Sequence, residues 1–166
     1  MIYSSKLSAN DKRALRNLQK CFGWNDDQLD YLIACMAFES NLNPQAVNPV
    51  SKAVGLIQFM PSICKAYGTT SEEMLSRSFE EQIPYVMKHF QPYYKRTKTL
   101  SDMYMAILMP KYIGKPEDTA IFSILASPVQ YRQNKGLDTN KNGVITKQEA
   151  TSKVYSRYVK GLRDID

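Results

Sequence analysis

The stretch Trp24-Asn25-Asp-Asp-Gln28-Leu29-Asp-Tyr-Leu32-Ile33-Ala-Cys35-Met36-Ala-Phe38-Glu39-Ser40-Asn-Leu-Asn-Pro44 decides how the rest of the chain is read. Asn25 and Gln28 have capping-box spacing, Trp24 and Leu29 are placed as a hydrophobic staple, and Leu29, Leu32, Ile33 and Met36 recur on one face. This predicts a helix from Asp26 to about Ser40. Asn41 to Pro44 close it, and the chain to Val54, interrupted by Pro44 and Pro49, reads as a loop. Glu39 therefore falls in the last turn of a buried helix, beside a long loop.

Helix signals continue on both sides. A first helix begins at the cap Ser8, carries Leu15, Leu18 and Phe22, and stops at Gly23. Pro61 suits the first position of another, closed by Gly68. Thr70 with Glu73 and Ser78 with Glu81 are two further capping boxes. Phe79, Ile83, Val86, Phe90 and Tyr93 line one face of a segment that Pro84 must start, kink or split. Thr99 with Asp102 caps a helix through Met109, ended by Pro110. A loop from Lys111 to Asp118 precedes the apolar run Ala120 to Ala126. No stretch alternates apolar and polar residues long enough for a substantial sheet, so the expected class is all-α. The 166 residues, 43% of them hydrophobic, suffice for one core, and the chain is read as a single domain over residues 1–166.

Composition excludes several roles. The apolar runs are far shorter than a membrane span needs. Met1 to Lys6 lack the apolar centre of a signal peptide, so synthesis in a cytosol without general secretory export is expected. The three cysteines, Cys21, Cys35 and Cys64, are an odd set without CxxC spacing and read as reduced core residues. His89 stands alone, without ligand or triad partners. The net charge of +6 favours polyanions. Its scattered lysines and arginines form no nucleic-acid stripe, and the densest group, Lys95, Arg96 and Lys98, reads as a solvated face.

A carboxylate at a helix C-terminus faces the negative end of the macrodipole, and Met36 and Phe38 would desolvate it. Both effects favour the protonated form that a general acid needs. Glu39-Ser40-Asn-Leu-Asn-Pro44 is followed by Gly55-Leu-Ile-Gln58-Phe-Met60-Pro61. In these two motifs, their order and their spacing, the chain resembles the soluble lytic transglycosylases, which share a fold with goose-type lysozymes. Ile57 stands where the family usually has Met. The resemblance covers roughly residues 25 to 150 and implies a lysozyme-like catalytic domain acting on peptidoglycan glycan strands.

By that resemblance Glu39 protonates the glycosidic oxygen between N-acetylmuramic acid and N-acetylglucosamine, then accepts a proton as the muramic 6-hydroxyl closes a 1,6-anhydro ring. Ser40 positions the carboxylate or the substrate, and Gln58 and Met60 line the sugar cleft. An ordinary glycosidase uses two carboxylates. No Asp or Glu lies between Ser40 and Ser71; Glu72, Glu80 or Asp118 could fold back from further along the chain, but the gap favours the route in which the substrate's own hydroxyl replaces the second one. Many relatives carry an Ala-Tyr-Asn-Ala-Gly segment at the cleft edge, absent here. The segment Asp102 to Pro116 stands in its place and looks like phage-encoded versions, with Tyr131 or Tyr112 expected to supply the aromatic contact.

Asp138-Thr-Asn140-Lys-Asn142-Gly143-Val144-Ile145-Thr146-Lys-Gln-Glu149 fits the EF-hand calcium pattern. Asp138, Asn140 and Asn142 would offer side-chain oxygens, Val144 its carbonyl, Thr146 a water or hydroxyl, and Glu149 both carboxylate oxygens. Only Asp138 and Glu149 are charged, and no second hand pairs with this one. The expected cofactor is a structural calcium ion that holds Tyr131 to Gly136 against a helix from Ala150 to about Gly161, with no organic cofactor.

The functional expectation is a phage or prophage lytic transglycosylase. It would act on cell-wall peptidoglycan for lysis or in a virion tail, with tail or other virion proteins as partners. The competing readings are a hydrolytic muramidase of the goose-lysozyme type, a chitin-directed relative, and a calcium-stabilised virion structural protein without catalysis.

Overall fold

The computed structural model describes residues 1–165. Its elements are α1 (Ala9–Phe22), α2 (Asp26–Ser40), α3 (Pro61–Ala66), α4 (Ser71–Ser76), α5 (Phe79–Phe90), α6 (Leu100–Leu108), β1 (Ala120–Ser123), α7 (Pro128–Asn134), β2 (Val144–Thr146) and α8 (Lys147–Gly161). Short 3-10 turns occupy Ser4–Lys6, Pro110–Tyr112 and Lys135–Leu137. Local chemistry explains most helix starts. Reciprocal capping boxes open α1 (Ser8 with Asp11), α2 (Asn25 with Gln28), α4 (Thr70 with Glu73), α5 (Ser78 with Glu81) and α8 (Thr146 with Glu149). Pro84 neither starts nor splits α5, which continues through it. In the second turn the ring removes only the bond to the Glu80 carbonyl.

Helix α2 is the centre. Leu29, Leu32, Ile33, Ala34, Cys35, Met36 and Ala37 are all buried, so the apolar stripe extends nearly around the helix, as a core helix requires. It packs against α1, α6 and α8; α1 also packs on α5, and α6 on α8. At the start of α2, the Trp24 indole N–H donates to the Tyr94 carbonyl at 2.9 Å and its ring meets Phe22 and Phe90.

The all-α expectation is corrected by a small antiparallel sheet. β1 pairs with β2 in the register Ala120↔Thr146, Phe122↔Ile145 and Ser123↔Val144. Strands of four and three residues are too short to show alternation, and their partners lie more than 20 residues apart in sequence. The fold is mostly helical with that added ribbon. A second correction concerns Cys21, which is exposed on α1, whereas Cys35 and Cys64 are buried; all three are free. Among the described residues no helix is long and apolar enough to cross a membrane.

Candidate functional site

Helix α2 ends because Asn41 and Leu42 adopt left-handed φ values of 54° and 64°. Their N–H groups return to the Ala37 and Met36 carbonyls at 3.2 and 3.3 Å, satisfying the last turn. Glu39, half-buried in that turn, is thereby held next to Ser40, which meets the segment from Val54 to Met60 through Leu56. Ser40 makes the join: its buried hydroxyl donates to the Met36 carbonyl or to that of Leu56, each at 3.0 Å. Its polar atom is spent inside the protein, fastening the second motif to the first.

That second motif is a tight hairpin-like turn bridged at Val47↔Val54 and Val54↔Phe59. Gln82 of α5, fully buried, bolts it from beneath. The side-chain amide donates to the Pro44 and Met74 carbonyls at 2.7 and 2.9 Å and accepts from the Leu56 N–H at 3.0 Å. Gly55 is required here twice over. Its φ is 78°, and a Cβ would lie 2.5 Å from the Gln82 Oε1. In the sequence Gln82 is marked by little more than being a polar residue next to the apolar face of α5.

Gln58 sits at a left-handed φ of 58°, and its amide N–H donates to the Gly55 carbonyl at 3.1 Å. With the partly exposed Met60 it lines a groove of about 280 Å³, together with Tyr67, His89, Tyr93 and Ile107. His89 is occupied structurally. Its Nε2 lies 2.8 Å from the Ala106 carbonyl, which can only accept, so Nδ1 takes the Tyr67 hydroxyl at 3.2 Å. Burial pushes its pKa down, which keeps the ring neutral.

Burial raises the Glu39 pKa to about 7, partly opposed by a hydrogen bond from the Tyr104 hydroxyl. Tyr104 belongs to α6, is itself buried, and meets Phe38 edge-on with ring centroids 5.7 Å apart. Burial and the neighbouring Glu39 carboxylate hold the Tyr104 hydroxyl well above its ordinary pKa, so it stays a donor. The Cys35 thiol is raised by the same two causes. Among the described residues no second carboxylate contributes to the Glu39 shift. The site is a single carboxyl poised near neutrality with one hydroxyl donor, able to give up a proton and take it back.

The sequence offers Tyr112 and Tyr131 for an aromatic contact and does not single out Tyr104. The Tyr112 hydroxyl points to the Ile121 carbonyl at 3.3 Å, and that of Tyr131 donates to Asp138 at 2.6 Å. Tyr104's available signal was its place in the Asp102 to Pro116 segment.

At the other end, Asp138, Asn140 and Asn142 fold their side-chain oxygens onto loop N–H groups. Asn142 N–H reaches Asp138 at 3.2 Å and Asn140 at 3.0 Å, while Gly143 and Val144 N–H reach Asp138 and Asn142 at 3.0 and 2.9 Å. Gly143 has a φ of 83°, and Ile145 is fully buried opposite Phe122. Glu149 accepts from the Thr146 N–H and the Thr139 hydroxyl, each at 3.0 Å. The loop leads into α8, which begins at Lys147 and not at Ala150. These oxygens, with the Val144 carbonyl, are the donors available to a hard cation.

A family model described as phage tail lysozyme matches residues 9–107. That span contains Glu39, the Gly55 to Pro61 turn and Tyr104, and stops before the 138–149 loop. None of the curated proteins compared matches the chain.

Proposed function

Because the chain belongs to the phage tail lysozyme family, we propose that it cleaves peptidoglycan as a lytic transglycosylase, with Glu39 as acid and then base. Lysozyme-like, glycan-cleaving action is what the family implies; the ring-closing route is the finer reading. One observation carries it: burial raises the Glu39 pKa to about 7, and among the described residues no partner carboxylate contributes to that shift.

In the first step the protonated Glu39 gives its proton to the oxygen leaving C1 of N-acetylmuramic acid, and the C1–O bond breaks toward an oxocarbenium-like state. In the second, the muramic O6 bonds to C1 and its proton passes to the Glu39 carboxylate. One proton leaves and one returns, so no water or second carboxylate is consumed. Tyr104 donates to the carboxylate formed between the steps. Ser40 and Gln82 fix the turn that carries Gln58, and Gln58 and Met60 border the groove that Tyr67 and Tyr93 also line. Tyr131, whose hydroxyl donates to Asp138, would meet a sugar only through its ring. The wall-facing role, as a lysis enzyme or a tail component meeting other virion proteins, follows from the family.

Mass spectrometry of a muropeptide digest tests the reaction. Products ending in 1,6-anhydro-muramic acid are expected, and reducing ends would replace this reading with a hydrolytic muramidase. Equal clearing by wild type and Glu39→Gln would remove Glu39 from the chemistry and favour a structural virion protein.

A further inference from the structure

Lys147 is a buried cation that the reading of Glu39 does not use. It is 1% exposed at the first position of α8, and its ammonium donates to Asp102 at 2.6 Å and to the Lys115 carbonyl at 2.8 Å. Asp102, also buried, takes the Gly114 N–H on the same oxygen at 2.7 Å. Asp102 lies in the first turn of α6, two residues before Tyr104, the hydroxyl donor to Glu39. Lys147 in turn is the residue after β2 and sits within the 138–149 loop, two positions before Glu149. Its N–H bonds the Thr119 carbonyl at 2.9 Å, and the Gln148 N–H bonds that of Glu117 at the same distance. The loop is therefore joined to α6 through a charge that the interior cannot leave unpaired.

The loop's residues fit a calcium ion. Its oxygens come in the order that ion uses, and only two of the side chains are acidic. The residue at the sharp turn is a glycine at φ 83°, where a Cβ would come within 2.9 Å of Ile124. The strand position after Val144, which pairs two hands in a sensor protein, is here paired within the chain by Phe122 of β1. That arrangement gives a lone loop a rigid backing and directs any ordering of it along β2 into Lys147.

We propose that the 138–149 loop binds calcium and that Lys147 is a positioning residue, transmitting the loop's order through Asp102 to Tyr104 and Glu39. It rests on the reading of Glu39 as the working carboxyl, but its test does not depend on glycan cleavage. Calcium bound by Asp138, Asn140, Asn142, the Val144 carbonyl and Glu149 supplies a fixed charge that orders the loop. Lys147 then holds the start of α6, and Tyr104 keeps its hydroxyl on the carboxylate. The titratable groups facing Glu39 are the Cys35 thiol from its own helix and Tyr104 from α6.

Terbium, excited through Tyr131, serves as the binding probe on the full chain, with displacement by calcium. Wild type and the double variant Lys147→Met/Asp102→Asn are expected to bind, and Glu149→Gln, which keeps an acceptor for the Thr146 N–H, to lose the site. The Glu39 carboxyl is followed by carbon NMR, identified by its absence in Glu39→Gln. In wild type, calcium should lower its titration midpoint relative to chelator by about half a unit or more, because an ordered Tyr104 donates to the charged form. The double variant should show no such shift while still binding. Asp102→Asn alone, which keeps an acceptor for the Gly114 N–H, takes its place if it does not fold. Absence of terbium binding in wild type overturns the metal site. Binding without a shift, or an equal shift in the uncoupled variant, overturns the role of Lys147. Neither result touches the glycan reading, which the muropeptide digest decides separately.

Discussion

Glu39 and Asp138 are both carboxylates touched by a tyrosine hydroxyl, and their surroundings drive them in opposite directions. At Glu39 burial dominates and the pKa rises to about 7, opposed among the described residues by the Tyr104 hydroxyl alone. At Asp138 the Tyr131 hydroxyl leads, joined against burial by the N–H groups of Gly143, Asn142 and Lys141, and the pKa falls. Glu149 repeats the second pattern: burial works against ionisation, and the Thr146 N–H with the Thr139 and Thr146 hydroxyls outweighs it. The number of donors decides what a carboxyl is for. One donor in an apolar wall leaves a group that exchanges a proton near neutrality; several donors leave a permanent anion that suits a cation.

The sharpest way to break this contrast is Glu39→Gln. It removes the proton while keeping the shape, so clearing of peptidoglycan should fall by about 10²- to 10⁴-fold with the fold retained. Turbidity assays beside circular dichroism measure both, and a folded variant of undiminished activity would end the acid–base role. Next in size is Lys147→Met. Stranding buried Asp102 without its ammonium should cost about 3 kcal/mol, or about 6–12 °C in Tm, and adding Asp102→Asn should recover part of it. A single variant melting with wild type would show that the link between the two regions carries no weight.

How well each region is legible in the sequence follows the range of its signals. The helix starts at Ser8, Asn25, Thr70 and Ser78 are written within a few residues and read correctly, because a cap and its reciprocal partner are neighbours. Glu39 is prominent through its adjoining motifs, and the loop from Asp138 to Glu149 through its spacing. What escapes is long-range. β1 and β2 are too short to show a period, Gln82 joins segments 26 and 38 residues away, and Lys147 meets Asp102 across 45. Tyr104 is passed over because burial beside Glu39 is a product of how α6 lies on α2, which no local pattern records.

Stability against pH reads the same contrast without substrate. A carboxyl whose folded pKa is raised binds its proton more tightly in the native state. Its contribution is therefore present below the unfolded value of 4.5 and lost as pH rises through about 7. From pH 4.5 to 8, wild type should lose about 1–3 kcal/mol relative to Glu39→Gln in urea titrations, a figure reduced for the partial exposure of Glu39. Asp138 and Glu149 act in the reverse sense, their stabilisation being lost only as pH falls through their lowered values. A wild type that gained on the variant over this window would contradict burial as the dominant influence on Glu39.

The smallest effect isolates the two tyrosines. Tyr104→Phe deletes the one donor to the Glu39 carboxylate and leaves the burial in place, so the carboxyl becomes harder to ionise. The alkaline limb of kcat/KM, which reports loss of the proton from the acid, should move to higher pH by about half a unit to one unit. Its height should fall by about tenfold, because the carboxylate formed after the first step is left with no donor. Tyr131→Phe removes the equivalent hydroxyl from Asp138, yet the Gly143 and Asn142 N–H groups remain, so calcium binding should weaken only a few-fold and the kcat/KM limb should stay in place. If both variants moved the limb alike, the hydroxyls would be acting through general loosening of the fold, and the count of donors around each carboxyl would lose its explanatory force.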